Sequence, residues 1–216
     1  MPTPPAPRPK QPIKLYRHAV SGHAHRVELM LTLLGLPVEL IDVDLMAKAH
    51  KSPTFLAMNP FGQVPVIQDG DVTLADSNAI LVYLAGRYAQ PGAWLPAAPQ
   101  AAAEVQRWLS VAAGPLAFGP ALARVIQLYK LATDPDDAIR RSHQLLGVMD
   151  QHLQHSAFLV GGVPSIADVA NYSYVAHAPE GKVDLAPYPH VRAWLCRIEA
   201  LPGFVPLVSS RIGLAA

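Results

Sequence analysis

The sequence predicts an α/β domain with a small mixed sheet, built as βαβ and then ββα, followed by an all-helical domain. Three observations carry that expectation. Over residues 13–43, short β-branched and aromatic runs flank one segment with strong helical periodicity. Asp69-Gly70, a strong two-residue hairpin signal, stands between two more strand-like runs. Beyond a proline-rich stretch at 90–98, the apolar patterns all have helical spacing. A chain of 216 residues can bury a core as one domain or two, and 51% hydrophobic with 15% charged content describes a packed globule.

Residues 1–12 carry prolines at positions 2, 4, 5, 7, 9 and 12, which predicts an extended, disordered arm without the apolar centre of a secretory signal. Ile13-Lys14-Leu15-Tyr16 then reads as a strand. Val27, Met30, Leu31 and Leu34 repeat at i, i+3, i+4, i+7, one buried helix face, and Gly35 with Pro37 ends it. Residues 38–43 form a second strand, so the crossover is parallel and right-handed. Ser52-Pro53 caps a short helix that Asn59-Pro60 closes.

Gln63-Val64-Pro65-Val66 comes next, a proline between two valines at a strand's start. Proline removes a ladder donor and biases the preceding residue to extended or cis-linked backbone, leaving main chain beside it for a strand-like ligand. After the hairpin, Asp76-Ser77 opens a helix to residue 88, where hydroxyl, amides and dipole converge on any carboxylate placed there. The βαβ–ββα order is a thioredoxin-like pattern. The domain boundaries expected are 1–12 for the arm, 13–90 for this domain, 91–98 for a stiff linker and 99–216 for the helical domain. Its helices are expected at 100–131, bent at Gly114-Pro115, and at 135–154, 165–177 and 189–201.

A net charge of +1 without a dense basic stripe argues against a nucleic-acid partner. No apolar run reads as a membrane span. A single cysteine, Cys196, excludes an intrachain disulfide and fits a reducing, cytoplasmic compartment; its place in an amphipathic helix suggests a core position. The histidines His18, His23 and His25 lack the spacing of a metal site.

Gln63-Val64-Pro65, Asp76-Ser77 and Ser165-Ile166-Ala167-Asp168, in this order and after this pattern of elements, resemble the cytosolic glutathione transferases of bacterial, serine type. The resemblance covers nearly the whole chain after the arm. It implies that glutathione, a co-substrate with no tightly bound cofactor beside it, pairs its cysteinyl backbone with Val64 before a cis Pro65. Ser77 would hold the γ-glutamyl carboxylate and Asp76 the α-amino group. Lys51 or His50 would reach the glycyl carboxylate, with Gln63 near the same end. Taken alone, Asp76-Ser77 reads as a helix cap and Lys51 as an ordinary surface lysine.

In serine-type members the position of Ser21 supplies the hydroxyl that hydrogen-bonds the glutathione sulfur; by itself Ser21 also reads as an N-cap. An O–H donor at a helix start favours the thiolate, the attacking species. Tyr16 is a weaker candidate for the same role and reads better as a core tyrosine. The resemblance places the second substrate, a small hydrophobic electrophile, in an apolar cleft between the domains, with Val20, His23, Pro115, Phe118, Tyr172 and Ala176 as candidate walls. Ser165 and Asp168 form a capping box, a folding device. The implied enzyme is a homodimer. A glutathione-dependent disulfide or peroxide reductase, an isomerase or dehalogenase, and a non-catalytic binding protein on the same fold remain alternatives.

Overall fold

The computed structural model describes residues 7–216. The chain forms two compact units, one of the described residues through Ala97 together with Pro202–Leu207, the other of Ala98–Leu201 and Val208–Ala216.

In the first unit, β1 (Ile13–Arg17), β2 (Val38–Asp42), β3 (Val66–Asp69) and β4 (Val72–Ala75) form one sheet in the order β2-β1-β3-β4. β1 and β2 are parallel and the other pairs antiparallel. The parallel crossover runs through α1 (Gly22–Leu33), which ends at Gly35, held at φ 60, a left-handed conformation glycine adopts without a Cβ clash. Alternation along the strands sorts the two faces. Ile13 and Leu15 of β1 and Ile67 of β3 are fully buried, as are Val27, Met30 and Leu31 of α1 and Ile80, Leu81 and Leu84 of α3 (Ser77–Tyr88). Tyr16 and Val66 point to the opposite face, where they pack with Val43 and with Phe55 of α2 (Pro53–Met58). Asp69, expected as a turn residue, also accepts from the hydroxyls of Tyr83 at 2.7 Å and Tyr88 at 2.5 Å, pinning the hairpin to α3.

The expected arm is not free at Arg8. Residues 1–6 lie outside the described residues, whereas Arg8 donates to the carbonyls of Leu34 at 3.0 Å and Gly35 at 2.7 Å, closing the end of α1.

The helical unit contains α4 (Pro99–Ala113), α5 (Leu122–Leu128), α6 (Asp136–Leu153), α7 (Ile166–Ala176) and α8 (Pro189–Glu199). Almost all of α7 is buried, which makes it the central helix; it packs on α4 and α8. Its start carries the capping box, with Ser165 accepting from Ala167 N–H and Asp168 accepting from Ser165 N–H. Asp168 also accepts from Leu159 N–H and Trp194 Nε1–H, joining three segments at one buried carboxylate.

The backbone turns at Gly114, φ −111 and ψ −95, where the bend was expected, and beyond it a π-helical turn over Ala117–Ala121 accommodates Pro120 before helix continues to Leu128. The stretch Pro99–Leu128 is long and apolar enough to cross a bilayer by length and composition; half of its most apolar window is buried in the fold, the pattern of a core helix. Two expectations are corrected in this unit, the inward place of Cys196 and the extent of the helical domain. Cys196 is exposed, because α8 turns Val191, Trp194, Leu195 and Ile198 inward and leaves position 196 outside that stripe. Finally, Pro202–Leu207 groups with the first unit, a return of the chain that no local signal announced.

Candidate active site

The first unit contains a cavity of about 740 Å³ whose walls come from separate stretches of sequence. Ser21 and His23 enter from the start of α1, His50 from a 3₁₀ turn, Gln63, Val64 and Pro65 from the approach to β3, and Asp76 and Ser77 from the start of α3. The Val64–Pro65 bond is cis. Neither the N–H nor the C=O of Val64 has a hydrogen-bond partner among the described residues. An extended peptide can pair there.

Ser21 is the N-cap of α1, its hydroxyl oxygen accepting from Ala24 N–H at 3.3 Å. That bond uses a lone pair and leaves the O–H free to donate into the cavity, so cap and donor are compatible roles. His23, one turn-position along, is half-buried, and its pKa is pushed down to about 3, first by removal from water and then by the charge of Arg26. At neutral pH its ring is uncharged, with one nitrogen a donor and the other an acceptor.

At the opposite wall, Asp76 caps α3 by accepting from Ala79 N–H at 2.9 Å through Oδ1. It is the one carboxylate among the lining residues. Its backbone is at φ 69, a region a side chain enters at a cost of about 1–3 kcal/mol, and such strain concentrates at functional positions. Ser77 is buried, and its Oγ accepts from Arg26 Nη1 at 3.2 Å; the same Nη1 donates to Asn78 Oδ1 at 3.0 Å. A fully buried guanidinium thus lies behind the α3 start, adding a whole positive charge to the helix dipole. This corner can receive an anion, and the exposed Asp76 beside it a cation.

His50 lines the cavity, and its buried Nδ1 has no partner among the described residues. Lys51 does not line it. Its Nζ donates to the carbonyls of Phe61 and Gly62, both at 3.1 Å, because the left-handed turn at Gly62 brings those oxygens toward it. Of the two basic residues, His50 is the one facing the cavity. Tyr16 does not line the cavity; half-buried, it packs with Val43, Phe55 and Val66, its hydroxyl donating to Gln68 Oε1 at 2.9 Å.

The expected electrophile walls separate. Val20 is half-buried and outside this cavity's lining. Pro115 and Phe118 line a second cavity of about 530 Å³ in the helical unit, with Val111, Leu145 and Val148. Ala176 is half-buried at the end of α7. Tyr172 is a correction: it is 4% exposed, its hydroxyl donates to Glu199 Oε1 at 3.0 Å, and its ring meets Trp194, which makes it core.

Two site residues escaped the sequence reading. Arg26 was legible as a charge four residues before Met30, on the flank of the buried stripe of α1. Asn59, 3% exposed, donates to Gln63 O at 2.8 Å and accepts from Phe61 N–H at 3.1 Å, bracing the loop that leads to the cis bond. Its only sequence signal was a place before Pro60, which reads as a helix stop.

Comparison with known proteins gives the family. The family model for the glutathione S-transferase N-terminal domain matches residues 11–86, and that for the C-terminal domain matches residues 92–202. Glutathione S-transferase 3 of Zea mays is 37% identical, the match covering 92% of this chain and 94% of that protein. The crystal structure of a glutathione S-transferase from Pseudomonas fluorescens superposes with a TM-score of 0.86 at 35% identity, covering 92% of this chain and all of that one. A glutathione transferase homologue from Drosophila mojavensis, solved with bound glutathione, has a TM-score of 0.81 at 29% identity over 88% of this chain and 89% of its own. The two matched domains span most of the sequence, and on that ground the chain belongs to the glutathione S-transferase family.

Proposed function

We propose that this glutathione transferase binds glutathione in the cavity of its first unit and delivers the sulfur to Ser21. The observation that carries the reading is the convergence, in one cavity, of a helix-start hydroxyl, an unpaired stretch of main chain at Val64 and an anion corner beside a lone carboxylate. The γ-glutamyl carboxylate is received by Ser77 and the first amides of α3, with Arg26 behind them. Its α-amino group pairs with Asp76. The cysteinyl backbone bonds to Val64, and the glycyl carboxylate lies toward His50 and Gln63.

In this pose the sulfur reaches the start of α1. A free thiol with a pKa of about 8.5 is mostly protonated at neutral pH. The Ser21 O–H and the helix N-terminus both favour the thiolate, whose proton passes to solvent. The sulfur lone pair then forms an S–C bond to the electrophile, and the displaced pair leaves with a leaving group or settles on the acceptor. The second substrate is a small hydrophobic electrophile, the enzyme a homodimer, and the compartment the cytoplasm, where glutathione is kept reduced; family membership supports these three.

The test is retention on immobilised glutathione together with conjugation of an activated aryl halide. The wild-type chain should be retained and active, and Ser77→Ala should elute early. A wild-type chain that passes unretained and forms no conjugate would sink the reading.

A further inference from the structure

We propose that His25 is a positioning residue for the thiol site: it holds the first turn of α1, and with it the Ser21 hydroxyl, by donating to the returning segment Pro202–Leu207. This inference rests on the Ser21 reading above and extends it.

His25 is 2% exposed, and its Nε2 lies 2.9 Å from the carbonyl oxygen of Val205. A carbonyl only accepts, so Nε2 carries the proton. The backbone N–H of the same residue donates to the Ser21 carbonyl at 2.9 Å, the first helical bond of α1. One residue therefore links the cavity-lining cap to a segment 180 positions away in sequence. Pro202–Leu207 is seated closely. At Gly203, held at φ 87, an added Cβ would lie 2.5 Å from Thr32 O and 3.4 Å from Leu33 Cα, so backbone meets the far end of α1 directly. Leu207, 4% exposed, buries the segment's end.

A helix's first turn has the fewest internal bonds and frays first. Here that turn carries the Ser21 hydroxyl and the amides that face the sulfur. A brace at His25 fixes its orientation, whereas the glutathione anchors at Val64, Asp76 and Ser77 stand on other elements. Loosening the brace should therefore weaken thiolate stabilisation more than glutathione binding.

The experiment measures kcat/KM for conjugation of an activated aryl halide from pH 5.5 to 9.5, with KM for glutathione. The proteins are wild type, Ser21→Ala, His25→Phe, His25→Gln and Gly203→Ala. His25→Phe fills the space without a donor; its acid limb should move up by about one pH unit, an approximately tenfold loss at pH 6.5 that is recovered at high pH, with KM within about twofold. Glutamine, whose amide reaches where Nε2 did, should restore the profile. A loss equal at every pH would mark a merely structural role and overturn the proposal. A wild-type profile in His25→Phe beside a shifted Ser21→Ala overturns it and leaves the Ser21 reading standing. An unshifted Ser21→Ala removes that reading and the proposal with it. If circular dichroism finds His25→Phe unfolded, Gly203→Ala, which pushes the segment off Thr32, carries the test: the same shift is expected, and a wild-type profile overturns.

Discussion

The helix starts of the sheet unit and the start of α7 in the helical unit use the same cap chemistry and differ in what is left over. At α7 the Ser165 hydroxyl accepts from Ala167 N–H and donates to Asp168 Oδ2, while both oxygens of Asp168 are engaged by four donors in all. Both residues are at most 3% exposed. At α1 and α3, Ser21 and Ser77 each accept one bond and keep a proton to give, and Asp76 has its Oδ2 unengaged among the described residues. A saturated cap is a joint; an unsaturated cap on a cavity wall has hydrogen-bonding capacity left for a ligand. Residue type separates the two poorly, since serine and aspartate occur in both.

The largest expected effect tests the saturated side. Asp168→Ala leaves buried donors from three segments without an acceptor and should lower stability by about 3–5 kcal/mol in urea unfolding. The folded fraction should bind glutathione as before; a loss of affinity in folded protein would blur the contrast.

On the unsaturated side the order reverses, with function affected more than stability. Ser77→Ala removes a hydroxyl from a ligand carboxylate, a contact of about 1.5–3 kcal/mol, so titration calorimetry should give glutathione binding weaker by about 10- to 100-fold. Unchanged binding would make Ser77 a cap alone.

Ser21→Ala should lower turnover at pH 6.5 by about tenfold with affinity nearly intact. Loss of the donor raises the thiol's pKa, so the deficit is full below the wild-type pKa and closes as pH rises from there through the raised one. A deficit constant in pH would assign the hydroxyl to folding.

The smallest effect concerns His23. Its folded pKa of about 3 lies below the ordinary 6.5, so the unfolded chain binds the extra proton and stability falls as pH drops from about 7 toward 3. Between pH 7.5 and 5 this amounts to about 1–2 kcal/mol, and His23→Gln should flatten that part of the pH–stability curve. A slope unaltered by the substitution would place the acid sensitivity elsewhere.

Much of the site was legible because its signals are local. Asp69-Gly70 turns the hairpin, Ser21 and Asp76 cap helices, and Pro65 interrupts a strand start, each through atoms within a few residues along the chain. The resemblance then joined these fragments into one ligand's outline. What stayed illegible depends on partners far away. Lys51 turned to the Phe61 and Gly62 carbonyls, Tyr172 went inward to Glu199, and Cys196 outward, according to the packing each helix or loop met.

By itself, then, the amino-acid order determined the strands, the helix starts, the turn and the two-part architecture, because propensity, capping and hydrophobic period act over a few residues. Only the tertiary structure decided that Arg26 lies behind Ser77 and that His25 meets Val205. Those contacts join residues up to 180 positions apart. No local preference specifies such a pairing; it follows from which surfaces remain to be buried once the sheet and its helices have closed on their cores.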